Sequence, residues 1–337
     1  MKMKKVQLGF SILAATALLV LGCNKKDNIA PEPDTEFKSS VDITWANMVI
    51  TDIDQICAFV GENDLYPKFY LPAPNQSTIV VTRDTAAKYL FVSFNDTKCV
   101  DGRLRDGTIA MNYTYGNPNA KYYHDFEFVG NIQLINYKID GWKIRQRNTF
   151  FVRNKVTPVD WSPKNTKLSW NLNGDFDLIH PTDSTKNIHI NVDYTKTLLN
   201  TSNPAVFPVS KQASITWTAA NVSYKGTSFG ETAGKVPFKF EFIDKEASPV
   251  LRDFTCYPDK VVGISVNTSS TVPVVVQRFE EYHPFIGGAA NFTTSTLYPR
   301  VIHYGSEQSD IANQCDDEGV VTIKGISYPV NFVKENK

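Results

Sequence analysis

The chain has 337 residues, 21% of them charged and 12% aromatic, and a formal net charge of zero. That composition builds a packed core and excludes a disordered polymer, and the length suits one large β domain or two smaller ones. No basic tract of the kind that binds nucleic acid is present.

Lys2, Lys4 and Lys5 precede an apolar run from Val6 to Leu21, which ends in Val20-Leu21-Gly22-Cys23. A basic start, a short apolar stretch and a small residue before the cut make residues 1–22 a secretory signal rather than a membrane span. A cysteine directly after the cut is the lipobox arrangement of bacterial lipoproteins. Cys23 is therefore the expected lipidation site, and the expected partner is a membrane, held through the lipid. Removing the signal takes away three lysines and leaves 32 basic against 35 acidic residues, about −3. No later apolar run reaches the roughly 18 to 20 residues that a spanning helix needs. Several acyl chains anchor a protein without one.

Residues 23–40 are polar and contain Ala30-Pro31-Glu32-Pro33, which reads as an extended tether. From Asp42 to Val60 the apolar residues Ile43, Ala46, Val49, Ile50, Ile53, Ile56, Cys57 and Val60 recur at spacings of three and four, predicting a helix. Ser40 or Asp42 would cap its start and Gly61 would end it. Its polar face carries Asp52 and Asp54 and lacks lysine and arginine. That favours a helix packed on a sheet over one lying on a membrane.

Beyond about Thr78 the period becomes two. Ile109, Met111, Tyr113 and Tyr115 alternate with polar or small residues. So do Ile188, Ile190, Val192 and Tyr194, and then Phe238, Phe240 and Phe242. Each segment reads as a strand with one dry face, typical of antiparallel sheets. Asp140-Gly141, Asn173-Gly174 and Lys324-Gly325 read as hairpin turns. The expected fold is all-β, an antiparallel meander forming a sandwich or a strongly curved sheet, with one N-terminal helix packed on it. A composition break near Ala247 to Lys260 suggests a β-rich domain over 41–250 and a C-terminal β subdomain over 251–337. Thr271 to Arg300, with Pro273, Pro284, Gly287-Gly288 and Pro299, reads as an irregular insert.

Of five cysteines, lipid would use Cys23. Cys57, Cys99, Cys256 and Cys315 remain, an even number that fits two disulfides in an exported chain, with three possible pairings. Cys57–Cys99 and Cys256–Cys315 are favoured, because each closes a loop within one half of the chain. Four buried thiols are the alternative.

Arg103 and Arg105 share one face of a strand and could grip a carboxylate, sulfate or phosphate. Alternatively, they pair with Asp101, Asp106, Asp316 or Asp317. Asn95, Asp96, Asp101 and Asp106 form an oxygen-rich cluster without calcium-loop spacing. Turn chemistry accounts for them. Lys143, Arg145 and Arg147 alternate on one strand face, which reads as a solvated stripe, with an anionic-polymer contact as the alternative. The five histidines are scattered, and no hydrolase, metal or phosphate-loop motif occurs. No catalytic residue, metal or cofactor is assigned. Tyr282, Phe285, Phe292 and Tyr298 on the insert are candidate ligand-contact aromatics, with packing onto the sheet as the alternative.

Three segments carry a resemblance. They are Cys99-Val-Asp101-Gly102-Arg103-Leu-Arg105-Asp-Gly107-Thr-Ile109, then Thr255-Cys256 with Val262-Gly263, and finally Tyr304-Gly305 with Cys315-Asp316-Asp317 and Val320-Val-Thr-Ile323. With the lipobox, they resemble a family of uncharacterised lipoproteins of the Bacteroidota. Asp317 and Gly319 depart from its usual asparagine and alanine. The resemblance implies an exported all-β body and carries no catalytic residue. By resemblance to known sorting rules, Asn24 after the lipidated cysteine implies the outer membrane, with the periplasmic and surface sides both open. The expected role is non-enzymatic binding or surface display, with a glycan or a protein as ligand. Glycan binding within a nutrient-uptake system is one alternative. A polysaccharide hydrolase, with two carboxylates roughly 5 to 10 Å apart, is another.

Overall fold

A computed structural model describes residues 35–63, 79–99, 103–155, 167–199, 221–245, 248–253, 264–265, 274–275, 285–305 and 318–332. The signal segment, Cys23, Tyr282, Cys256 and Cys315 lie outside them. One compact unit spans Glu36–Lys337. No helix among the described residues is long and apolar enough to cross a membrane.

The one α-helix in the element order, α1 (Lys38–Asn63), is 26 residues long, or about 39 Å at 1.5 Å per residue. It starts a turn earlier than its spacing predicts. The Glu36 carboxylate accepts from the Ser39 backbone N–H at 2.9 Å, satisfying a donor that the first turn leaves open. It also runs past Gly61. Many of its residues are β-branched, with modest helix propensity. Its stability therefore comes from its surroundings, as for most helices in proteins. Every residue from Ser40 to Gly61 is buried.

Those surroundings are a 15-stranded antiparallel sheet. Its strands are β1 (Val80–Asp84), β2 (Tyr89–Lys98), β3 (Leu104–Asn112), β4 (Val129–Ile139), β5 (Trp142–Gln146), β6 (Phe150–Asn154), β7 (Ser169–Ile179), β8 (Ile188–Leu198), β9 (Asn221–Glu231), β10 (Pro237–Phe242), β11 (Val250–Asp253), β14 (Ala289–Thr294), β15 (Arg300–Tyr304), β16 (Glu318–Ile323) and β17 (Ile326–Asn331). A separate pair joins β12 (Ile264–Ser265) to β13 (Val274–Val275). Most neighbours in the sheet are neighbours in sequence, as in a meander. Two partners are broken strands. β5 and β6 divide the space between β4 and β7, and β10 and β11 divide the edge of β9. β10 pairs with β14, so strands on both sides of residue 250 share one sheet.

Side chains from well-separated strands meet the helix, so the sheet curls around it. Trp142 on β5 packs on Trp45, with ring centroids 4.5 Å apart. Arg105 on β3 reaches Asp52 at 2.8 Å. Lys196 on β8 reaches Asp54 at 2.5 Å. Arg300 on β15 clamps the helix start, donating from Nη2 to the Glu36 carbonyl at 2.6 Å. The fold class is all-β with an N-terminal helix, as expected. The helix lies on the inner face of the sheet, which curls round to enclose it.

The Asp140-Gly141 and Lys324-Gly325 turns form as predicted, with φ of 49° and 82°, and of 51° and 80°. Asn173-Gly174 is not a turn, because β7 runs straight through it. A β-carbon on Gly174 would meet the Phe176 ring at 2.6 Å and the Phe150 ring at 2.9 Å. This glycine makes room for two core aromatics; it does not supply a positive φ.

Candidate functional site

The charged side chains midway along α1 form buried ion pairs on two sides of the helix. Residues 52 and 54 lie about 200° apart around a helix with 3.6 residues per turn, so the two aspartates face opposite walls. Asp52 meets Arg105 at 2.8 Å and Arg252 at 3.6 Å. Arg252 also donates to the Thr51 hydroxyl at 3.0 Å. Asp54 accepts from the Tyr123 hydroxyl at 2.6 Å and from Lys196. Lys196 lies 4.7 Å from the Tyr123 ring centroid. Burial pushes the Lys196 ammonium below its ordinary pKa, and Asp54 opposes that. All these groups are sealed from solvent, so they hold the helix and are not open to a ligand.

This placement corrects several sequence expectations. Arg105 is a structural cation, and its partner is a helix residue 53 positions earlier. Arg103 pairs with Asp140 at the β4–β5 turn, and Asp140 also accepts from the Leu104 backbone N–H at 2.9 Å. Neither guanidinium is presented as an open anion clamp, since Arg103 is also buried. Phe285 and Phe292 are core residues at 0% exposure. Phe285 packs among Tyr224, Phe242 and Tyr304, and Phe292 sits on the dry face of β14 against Phe238. Proline and glycine around them disguised a regular strand. Tyr298 is partly exposed, with the Lys324 ammonium 3.2 Å from its ring centroid. The Cys57–Cys99 disulfide is not formed, because Cys57 is a buried free thiol. Cys57 lies on the Asp54 and Lys196 side of the helix. Cys99 lies near Tyr137, on the Arg105 and Asp52 side, and its thiol donates to the Thr97 carbonyl at 3.6 Å. Arg145 and Arg147 are largely solvated and both bind Asp177, at 2.9 and 2.7 Å.

The open surface that stands out is the outer face of β1 to β4 and β6. Tyr89 and Phe91 are 41% and 37% exposed, while Leu90 and Val92 between and beyond them are buried against the helix side. The Tyr89 and Phe91 rings lie 6.2 Å apart and only 11° from parallel. Across the register, Phe91 stands opposite Ala110 and Tyr89 opposite Asn112. The Ala110 methyl puts no bulky group beside the Phe91 ring. The same rows continue through Asn131 to Phe151. Phe151 meets the exposed Tyr115 edge to face at 6.2 Å. Asn131, at 8% exposure, has a side-chain oxygen with no protein hydrogen bond. Val80 and Ile135 extend the apolar surface. These residues were missed in the sequence, although a signal was present. Tyr89-Leu90-Phe91-Val92 is apolar without interruption, and alternate strand residues face opposite sides. Such a run gives a strand with two apolar faces, only one of which the helix can cover.

A concavity of about 470 Å³ lies between the ends of β2 and β3, the β4–β5 hairpin and the segment after β7. It holds Asp96 and Asp106. Lys138 donates to Asp106 at 2.9 Å, and that hydrogen bond holds the Asp106 carboxyl below the usual carboxylate range. Among the described residues, no three His, Cys, Asp or Glu side chains converge as metal ligands. Compared with models of protein families, with curated proteins and with solved structures, the chain matches none.

Proposed function

We propose that this chain is a lipid-anchored protein of the outer membrane, tethered through Cys23, whose β body binds a glycan on the outer face of β1 to β4 and β6. The observation that carries the binding reading is the near-parallel Tyr89–Phe91 pair. A sugar ring has an apolar C–H face and a polar rim. Two flat exposed rings bury the first. The amide of Asn112, on the same row, serves the second. An exposed apolar patch of this kind on a sheet marks an interaction surface. The anchor reading rests on the lipobox and on the resemblance to Bacteroidota lipoproteins.

A hydrolase reading has less support. Glycoside hydrolysis needs one carboxylic acid kept protonated near neutral pH. In the cleft that holds two aspartates, Lys138 holds Asp106 charged, and Asp96 is exposed rather than enclosed in an apolar pocket, so neither is placed to be that acid.

The test uses the full-length chain in a mild non-ionic detergent, run through native gels cast with a panel of polysaccharides, with reducing ends assayed in parallel. Retardation without new reducing ends supports binding. New reducing ends would replace it with hydrolysis. Incorporation of labelled palmitate that is lost in Cys23→Ser tests the anchor.

A further inference from the structure

We infer that the cleft beside the β4–β5 hairpin is a second ligand site, separate from the aromatic face, and that it takes a sugar bearing a carboxylate, of the uronic acid class. The cleft volume of about 470 Å³ falls within the range of small-molecule sites.

Its floor is made by adjacent irregularities in three strands. β2 shifts register between Phe94 and Thr97, and Asp96 takes a φ of 46°. β3 shifts between Asp106 and Thr108, and Gly107 takes a φ of 86°. Opposite on β4, Asn136 has a φ of 51°. A β-carbon on Gly107 would meet the Asn136 carbonyl oxygen at 2.4 Å. Bulges re-aim side chains and recur beside binding sites. Here they bring Asp96 and Asp106 together, with the Asp96 backbone N–H donating to Asp106 at 3.4 Å.

The opposite wall supplies donors. Lys143 lines the cleft, and the ion pairs among the described residues leave it without a carboxylate. His180 is fixed on several sides. Its Nδ1 accepts from the backbone N–H groups of Asp183 at 3.0 Å and Thr182 at 3.3 Å. Its own backbone N–H donates to the Asn187 side chain at 2.9 Å. Its ring stands edge-on to Trp142, with centroids 4.7 Å apart. Two N–H groups aimed at Nδ1 leave no room for a proton there, so the ring proton sits on Nε2 as a donor. The cleft therefore sets Lys143 and His180 against two carboxylates, and Ile179 and Pro181 add apolar surface. A ligand carboxylate matches the first pair. Hydroxyl groups donate to the second, and a ring C–H face rests on the third set. A neutral sugar leaves Lys143 unused, and a simple amino acid has no hydroxyls for the aspartates.

Titration calorimetry on the full-length chain in detergent, with glucuronate, glucose and glycine as probes, tests the assignment. Glucuronate should bind at least tenfold more tightly than glucose or glycine. Lys143→Met and Asp96→Asn should each weaken it at least tenfold, with unchanged circular dichroism and thermal midpoint, since both side chains are exposed. Glucuronate binding no tighter than glucose, glycine as the tightest probe, no measurable binding, or an unchanged affinity in Lys143→Met would each overturn it.

Discussion

Arg105, on β3, donates to Asp52, halfway along the enclosed helix, at 2.8 Å, with both side chains out of contact with solvent. The pair links residues 53 positions apart and ties the wall to the strut inside it. A buried pair gains little over a well-packed apolar pair, but breaking one leaves a charge stranded, which costs about 3–5 kcal/mol. Arg252 remains 3.6 Å from Asp52, so Arg105→Met should lower unfolding stability by up to about that much, read from chemical denaturation. Combining it with Asp52→Asn should cost clearly less than the sum of the two single changes. Additive losses would mean that the two side chains act independently.

Alkali should unfold this protein. Burial pushes the hydroxyls of Tyr123, Tyr137, Tyr194 and Tyr304 and the Cys57 thiol above their ordinary values. The folded chain thus keeps protons that the unfolded chain releases. The stabilisation is complete below the unfolded values, about 10 for tyrosine and 8.5 for cysteine, and is lost as pH rises through and beyond them. Lys196, whose pKa is lowered by burial, acts in the opposite sense, but it is one group against five. The denaturation midpoint should fall steadily between about pH 8 and pH 11. A midpoint that rises over that window would contradict the burial of these groups.

Cys57 should be inert while the chain is folded. The thiolate is the reactive form, and burial disfavours it. Alkylation followed by peptide mass mapping should modify Cys57 only after denaturant is added. Rapid labelling under native conditions would place the thiol elsewhere.

Gly174→Ala should be destabilising by about 1–3 kcal/mol, the usual cost of overpacking a core, although the backbone there has no positive φ. Thermal unfolding reads the loss. A neutral result would mean that Phe150 and Phe176 have room to move apart.

The sequence reveals this fold unevenly, and particular residues show why. Period-two alternation at Phe238, Phe240 and Phe242 marks a strand because one face is dry and the other wet. The Asp140-Gly141 and Lys324-Gly325 turns are legible because a glycine that adopts positive φ sits between two strand-like runs, with an aspartate before it in the first. Asn173-Gly174 misleads because a glycine needed for close packing looks the same as one needed for a turn. Asp52 and Asp54 mislead in another way. Carboxylates on a helix imply a solvated surface unless cations come from elsewhere, and Arg105, Arg252 and Lys196 come from strands far along the chain. Long-range pairing of that kind leaves no local signal. Among the candidate contact residues, Phe285 and Phe292 entered the core for the same reason, since the strands that cover them are distant in sequence.

The central claim is that Tyr89 and Phe91 form a glycan-binding surface. It is tested most directly by comparing the full-length chain with its Tyr89→Ala/Phe91→Ala variant in native gels cast with polysaccharides. Both side chains are partly exposed, so the variant should unfold within about 0.5 kcal/mol of the parent for each substitution. The account predicts that at least one polysaccharide retards the parent and that the variant migrates as it does in a gel without polysaccharide. Equal retardation of both proteins, or no retardation of the parent by any polysaccharide, would contradict it.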